Sequence, residues 1–164
     1  MSERDDIHDP AALRERLEAS RKRLARLPIS SPRHAGPTDP ATGESWHRGN
    51  VLGHLDEMLP YWTDQIRRAK AGSGKVGRDE EGTALRRHGI DHGDAAGEAE
   101  LKRSIDKKIG GVVKLLEKLT PEDLKRTVAF HTREGDREAQ IGELLQILVV
   151  GHLEEHVAQL SNLG

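Results

Sequence analysis

The sequence predicts an all-α protein, a four-helix bundle in one domain spanning residues 1–164. Four stretches repeat apolar residues at helical spacing, and two long connections without that period separate them. The only aromatic side chains are Trp46, Trp62, Tyr61 and Phe130, so aliphatic residues must fill the core. A chain of this length fits a single domain and buries about 70% of its unfolded surface. Residues 1–8 are expected to be flexible.

The first helix starts at Asp9-Pro10, with Asp as N-cap and Pro in the first turn. Leu13, Leu17, Leu24 and Leu27 keep one face apolar, and Pro28 ends it. Residues 29–44 are rich in Pro, Ser, Gly and Thr and read as a long crossover loop. A second helix spans about Ser45–Ala71, with Val51, Leu55, Met58, Trp62 and Ile66 as its stripe. Pro60 lies inside it, frees the Asp56 carbonyl and predicts a kink just past His54.

Residues 72–97 hold seven of the glycines and almost no apolar period. They read as an irregular excursion that serves as a lid or pocket wall. A third bundle helix, about Glu98–Leu119, aligns Leu101, Ile105, Ile109, Val112, Leu116 and Leu119. Gly110-Gly111 in its middle costs roughly 1 kcal/mol per glycine and would allow a close backbone approach. Thr120-Pro121-Glu122-Asp123 reads as a capped turn, and Arg126–Gln140 as a short extended loop or hairpin. The last helix, about Ala139–Asn162, is the most apolar.

Composition excludes several classes. There is no cysteine, so disulfides and protein thiolates are ruled out, and a metal must be held by His, Asp, Glu or water. Charges nearly cancel at net −2, which argues against nucleic acid and anionic membrane surfaces as partners. The charged N-terminus lacks a secretory apolar region, no apolar run reaches transmembrane length, and the expected location is cytoplasmic.

His152 and His156 lie four apart on the last helix, sharing a face with Leu145, Leu148 and Gln159. His54 sits on the second helix with His47, Asn50, Met58 and, more obliquely, Glu57. Both faces look into the core. A single core histidine is usually satisfied by a backbone carbonyl, but three converging imidazoles are costly without a metal or a hydrogen-bond network. Three protein ligands with one open position is the usual catalytic zinc arrangement, and three imidazoles suit Zn, Ni, Fe or Cu by ligand type. His54, His152 and His156 are thus the candidate metal ligands, and Glu57 the candidate catalytic group.

Other signals are weaker. His88 and His92 are also four apart, but their segment is too glycine-rich to read as a helix. His8, His34 and His131 read as surface or loop residues, and His47 as a pocket-edge residue. His152-Leu-Glu-Glu-His156 matches a zinc-protease string, yet too few residues follow for a further ligand. Gly72-Ser-Gly-Lys75 lacks the first glycine and the Ser/Thr of a phosphate loop, and it follows a helix instead of a strand.

Trp46-x7-His54-Leu-x-x-Met-Leu-Pro-Tyr and Val149-Val-Gly-His152-Leu-Glu-Glu-His156-Val-Ala-Gln-Leu160 resemble the DinB-like metalloprotein superfamily. That group includes the mycothiol-dependent maleylpyruvate isomerase N-terminal domain and the bacillithiol transferases. The resemblance covers roughly residues 10–163. It implies an up-down-down-up four-helix bundle with long crossover loops, often a homodimer, with a three-ligand divalent metal site at one end. By position, His54, His152 and His156 match the family's ligands; some members carry Glu where His152 stands. The metal expected is zinc or nickel.

The resemblance also implies a low-molecular-weight thiol as second cofactor, activated for S-transfer to, or isomerisation of, a small-molecule substrate. Two alternatives stand beside that reading: a non-catalytic metal-binding stress-response bundle, and a metal-dependent hydrolase. The sequence leaves open whether the chain is an enzyme.

Overall fold

The structure is a computed structural model that describes residues 7–28, 36–72 and 75–163. Residues 1–6 of the segment expected to be flexible, the first part of the crossover loop with His34, and the middle of Gly72–Lys75 lie outside the described residues. The described chain is mostly helical, with one two-stranded antiparallel sheet. In order come α1 (Pro10–Arg26), α2 (Arg48–Lys70), α3 (Glu80–Ala95), α4 (Glu98–Lys118) and α5 (Pro121–Lys125). The hairpin β1 (Thr127–Thr132) and β2 (Gly135–Gln140) follows. The last helix is α6 (Ile141–Leu145), a π-helical turn (Gln146–Val150) and α7 (Gly151–Asn162). Among the described residues no helix is long and apolar enough to cross a membrane.

Local chemistry explains the helix ends. Asp9 caps α1 by accepting from the Ala11 N–H at 3.0 Å, ahead of Pro10. Thr120 and Asp123 form a capping box at α5. His47 is the N-cap of α2: its Nδ1 accepts from the Asn50 N–H at 3.3 Å, and Asn50 Oδ1 accepts from the His47 N–H. That role, a structural one, was not legible in a residue type rarely used as a cap. The helix continues through Pro60. The Asp56 carbonyl that Pro60 leaves without its N–H accepts from Lys108 Nζ at 2.9 Å.

The stripes read from the sequence form one core. Val51, Leu55, Met58, Trp62 and Ile66 of α2 pack with Leu101, Ile105, Ile109, Val112 and Leu116 of α4 in a single apolar cluster. α1 packs against α4 and runs antiparallel to it, since Arg14 pairs with Glu117 at one end and Lys102 reaches the Leu27 carbonyl at the other. β1 and β2 pair from Thr127↔Gln140 to Thr132↔Gly135, and Gly135 turns the hairpin at φ +119°. Val76, fully buried, bridges to this hairpin.

The expectation of an irregular excursion at 72–97 is wrong: Glu80–Ala95 is a regular helix, capped by Asp79. Its glycines are the reason it packs and the reason it was missed. A Cβ on Gly93 would lie 1.8 Å from the Gly49 carbonyl oxygen, and one on Gly53 would lie 2.2 Å from the Gly89 oxygen. Gly49 and Gly53 on α2, and Gly89 and Gly93 on α3, are each one turn apart, so the two helices touch backbone to backbone. The contact energy replaces an apolar stripe, and periodicity carries no trace of it. The close approach expected at Gly110-Gly111 is absent: a Cβ at Gly110 meets only an Arg21 nitrogen at 3.6 Å, and one at Gly111 meets nothing.

Arg48, 3% exposed, is the buried cation of the fold. Its Nε donates to Glu98 at 2.6 Å, its Nη1 to the Leu160 carbonyl at 3.0 Å and its Nη2 to the Pro28 carbonyl at 2.7 Å. One guanidinium thus joins the start of α2 to the start of α4, the end of α7 and the chain leaving α1.

These contacts make stability testable at two points. Arg48→Met should lower the unfolding free energy by about 3–5 kcal/mol, because Glu98 loses its buried guanidinium, and adding Glu98→Leu should restore much of the loss. Denaturant unfolding of the single and double variants checks this. Gly93→Ala should destabilise by about 1–3 kcal/mol through overpacking, while Gly111→Ala, in open space, should stabilise by up to about 1 kcal/mol. Thermal melts of the pair read the difference in sign.

Candidate functional site

α2 and α7 bring His54, His152 and His156 together, with one ring nitrogen from each lying within 4.8 Å of the others. His54 Nε2 and His152 Nε2 are 3.2 Å apart. The three rings pack in mutual contact, with centroids 5.2 Å apart for His54–His152, 5.1 Å for His54–His156 and 4.6 Å for His152–His156. Trp46 covers the cluster, stacked on His156 at 5.9 Å and tilted against His54 at 5.2 Å.

Each imidazole is held differently. His156 Nδ1–H donates to Gln159 Oε1 at 2.8 Å, which fixes its tautomer and turns Nε2 to the cluster with its lone pair free. The Leu148 backbone, within the π-helical turn, favours the protonated form of the His152 ring. That turn rests on Gly151, whose N–H donates back to the Gln146 carbonyl and where a Cβ would lie 2.7 Å from the same oxygen. His54 is buried, and its Nδ1 is without a hydrogen-bond partner among the described residues.

Burial, followed by the neighbouring imidazoles and then Arg86 and Arg78, pushes His54 down to about 2. Burial first, then His156 and the same two arginines, pushes His152 down to about 3 against the opposing effect of the Leu148 backbone. Burial lowers His156 as well, despite Gln159 and Glu155. All three rings are therefore neutral near pH 7, the protonation state in which imidazole ligates a metal.

The cluster forms one wall of a cavity of about 260 Å³. Trp46, Glu44, Arg86, Glu155 and Gln159 line it, together with Pro37, Asp39 and Thr42 of the loop before α2. Arg86, on α3, lies 5.6 Å over the Trp46 ring and pairs with Glu44 at 3.0 Å, and Arg87 pairs with the other Glu44 oxygen at 2.9 Å. Burial would raise the Glu44 carboxyl, but Arg86, Thr42 and Arg87 outweigh it and hold it below its ordinary value. The loop is thereby latched across the cavity by its own carboxylate.

Glu57 is not part of this cavity. Its two oxygens take Arg78 at 2.7 and 3.0 Å, and that guanidinium stacks over Tyr61 at 4.3 Å. Helical periodicity placed Glu57 obliquely to His54, and the oblique direction points to α3. Arg86 and Glu44 were missed because neither α3 nor the loop geometry was legible; the glycines spaced one turn apart on both sides were the available signal. His47 donates from Nε2 to Asp94 at 2.7 Å.

The residues present fit a divalent cation. The 3.2 Å separation of the His54 and His152 nitrogens is close to the ~3.3 Å expected between two ligands about 2.05 Å from a tetrahedral ion. The donor set is neutral, nitrogen-only and oriented from behind at His156.

No protein-family model matches the sequence, and no curated protein is significantly similar to it. Two solved structures share its fold. The colibactin self-resistance protein ClbS, solved in complex with double-stranded DNA, superposes with a TM-score of 0.66 at 15% identity, over 94% of each chain. A protein from Streptococcus pneumoniae superposes with a TM-score of 0.62 at 10% identity, over 94% of this chain and 91% of its own. Both have the DinB-like fold that the two sequence motifs resemble.

ClbS also corrects one expectation. A solved structure of this fold is in complex with double-stranded DNA, so the exclusion of nucleic acid as a partner does not stand. The physical reason is that DNA contact depends on how charge is distributed, not on its sum.

Because the folded-state values of His54 and His152 lie below the ordinary imidazole value, the unfolded chain binds more protons between about pH 3 and 6.5. Stability should be full above pH 6.5 and fall as pH drops through that window, by up to about 1.4 kcal/mol per pH unit for each histidine. Chelator-treated wild type should show this in urea melts from about pH 7.5 to 4.5, and His54→Leu should show a shallower slope.

Proposed function

We propose that this chain is a DinB-like divalent-metal protein whose α1, α2, α4 and α6–α7 form the four-helix bundle, with His54, His152 and His156 holding one zinc or nickel ion. The observation that carries the reading is the convergence of three neutral, buried or half-buried imidazoles on one point beside a cavity. We further propose that the site serves S-transfer or isomerisation with a low-molecular-weight thiol. A bound divalent cation supplies Lewis acidity, which makes a thiol available as thiolate near neutral pH.

The chain's own residues supply the rest. It has no cysteine, so the thiol comes from outside. Gln159 keeps the His156 proton on the nitrogen away from the cluster, leaving its inner lone pair as a ligand. Trp46 shields the rings from water and gives an electrophile a flat apolar wall. Glu155, on the cavity wall, is the acid–base candidate in place of Glu57. Arg86 puts a positive charge at the cavity edge, where the charge of a departing or enolising group would develop.

Elemental analysis of protein purified without a nickel column or chelator tests the first step, beside His54→Ala and His152→Ala/His156→Ala. About one equivalent of zinc or nickel, lost in both variants, is expected. The loaded protein is then incubated with mycothiol, bacillithiol or glutathione and a panel of electrophiles. Duplex DNA joins the panel because ClbS was crystallised with it. Thiol-dependent product above the His54→Ala background is the expected outcome. Metal without turnover would move the reading to the non-catalytic bundle, and thiol-independent cleavage to the hydrolase.

A further inference from the structure

Because Glu80–Ala95 is helical, His88 and His92 occupy consecutive turns of one exposed face. Both line the same open groove of about 490 Å³ between α2 and α3. An i, i+4 pair of imidazoles on a formed helix is a ready two-point chelate, the same spacing that His152 and His156 use.

Their surroundings set them apart from the rest. Every other described histidine is engaged through its ring: His8 with Gln140, His47 with Asn50 and Asp94, His131 with Asp136, and the other three with one another. Among the described residues, the rings of His88 and His92 have no hydrogen bond, ion pair or ring contact, so each ring has its lone-pair nitrogen free for a cation. Nearby charges that would compete are already committed. Lys108 is held by Asp56, Glu57 by Arg78, and Asp91 lies 3.8 Å from Arg87.

We infer that His88 and His92 form a second, solvent-accessible divalent-cation site, separate from the triad. Two imidazoles completed by water suit copper, nickel and zinc, with copper(II) the tightest by intrinsic preference. The consequence is local and mechanical. α3 contains Gly82, Gly89 and Gly93, which oppose helix formation in isolation. A cation bridging two turns holds the helical conformation, and α3 carries Arg86 into the triad cavity. The second site would therefore stiffen the wall of the first.

The test compares wild type with His88→Ala/His92→Ala, a pair of exposed substitutions that leaves the core and the triad untouched. Both are titrated with copper(II) chloride and with nickel(II) chloride in a non-coordinating buffer, with stoichiometry read by calorimetry and copper coordination by electron paramagnetic resonance. The expected result is one equivalent fewer in the variant for copper, with loss of the copper signal from a two-nitrogen site. Thermal melts should show a larger cation-dependent rise in wild type than in the variant. Equal stoichiometry and identical copper spectra in the two proteins would overturn the proposal. The reading does not rest on the triad: if the triad binds nothing, the counts are one and zero, and if it binds, two and one.

Discussion

The position of the three imidazoles depends on the buried guanidinium of Arg48. It stands six residues before His54 on α2, and it grips the Leu160 carbonyl, four residues beyond His156 on α7. At about 1.5 Å of rise per residue, these are short, stiff levers of roughly 9 Å and 6 Å. The register between the helix that carries His54 and the helix that carries His156 is therefore fixed close to the cluster. Apolar packing alone tolerates small sliding, because dispersion is non-directional. A guanidinium with three donors to three segments does not slide without losing charge-assisted bonds in a dry environment. Glu98, equally buried, brings the start of α4 to the same point.

Around the cluster the charges come in matched sets. Arg86 is met by Glu44, Arg78 by Glu57, and Glu155 faces the cavity. The two arginines lower the proton affinity of His54 and His152 without presenting bare charge to them, since each guanidinium is shared with a carboxylate. A dication entering beside three neutral rings would also meet two carboxylates of the cavity wall, Asp39 and Glu155.

The sequence was informative where burial follows a period and silent where it does not. Leu55, Met58 and Trp62, or Ile105, Ile109 and Val112, repeat at helical spacing because one face packs on side chains, so their helices and their shared core were legible. The same periodicity put His54, His152 and His156 on inward faces, and the structure brings them together. α3 packs by bringing its backbone to the Gly49 and Gly53 backbone, and a contact made through missing side chains has no hydrophobic signature. With α3 unseen, Arg86 and the latch to Glu44 were unseen too. Glu57 lies on its helix as expected and pairs with Arg78, a partner that the sequence did not show because it lies in the unrecognised stretch.

The π-helical turn at Gln146–Val150 shows how little backbone change separates a packed helix from a binding one. A regular helix would carry the apolar face set by Ile141 and Leu145 forward at about 100° per residue, which puts Leu148 beside His152. In the structure Val149, Val150 and Leu153 are fully buried while Leu148 is only partly so, which is the signature of a shifted phase. The wider turn also pairs Gly151 with Gln146 instead of the residue one closer. The Leu148 backbone then serves the His152 ring. The local irregularity thus keeps the apolar face sealed up to Val150, while His152 Nε2 stays turned to the cluster. Gly151 is the residue that permits it, since any side chain there would collide with the Gln146 oxygen on which the turn closes.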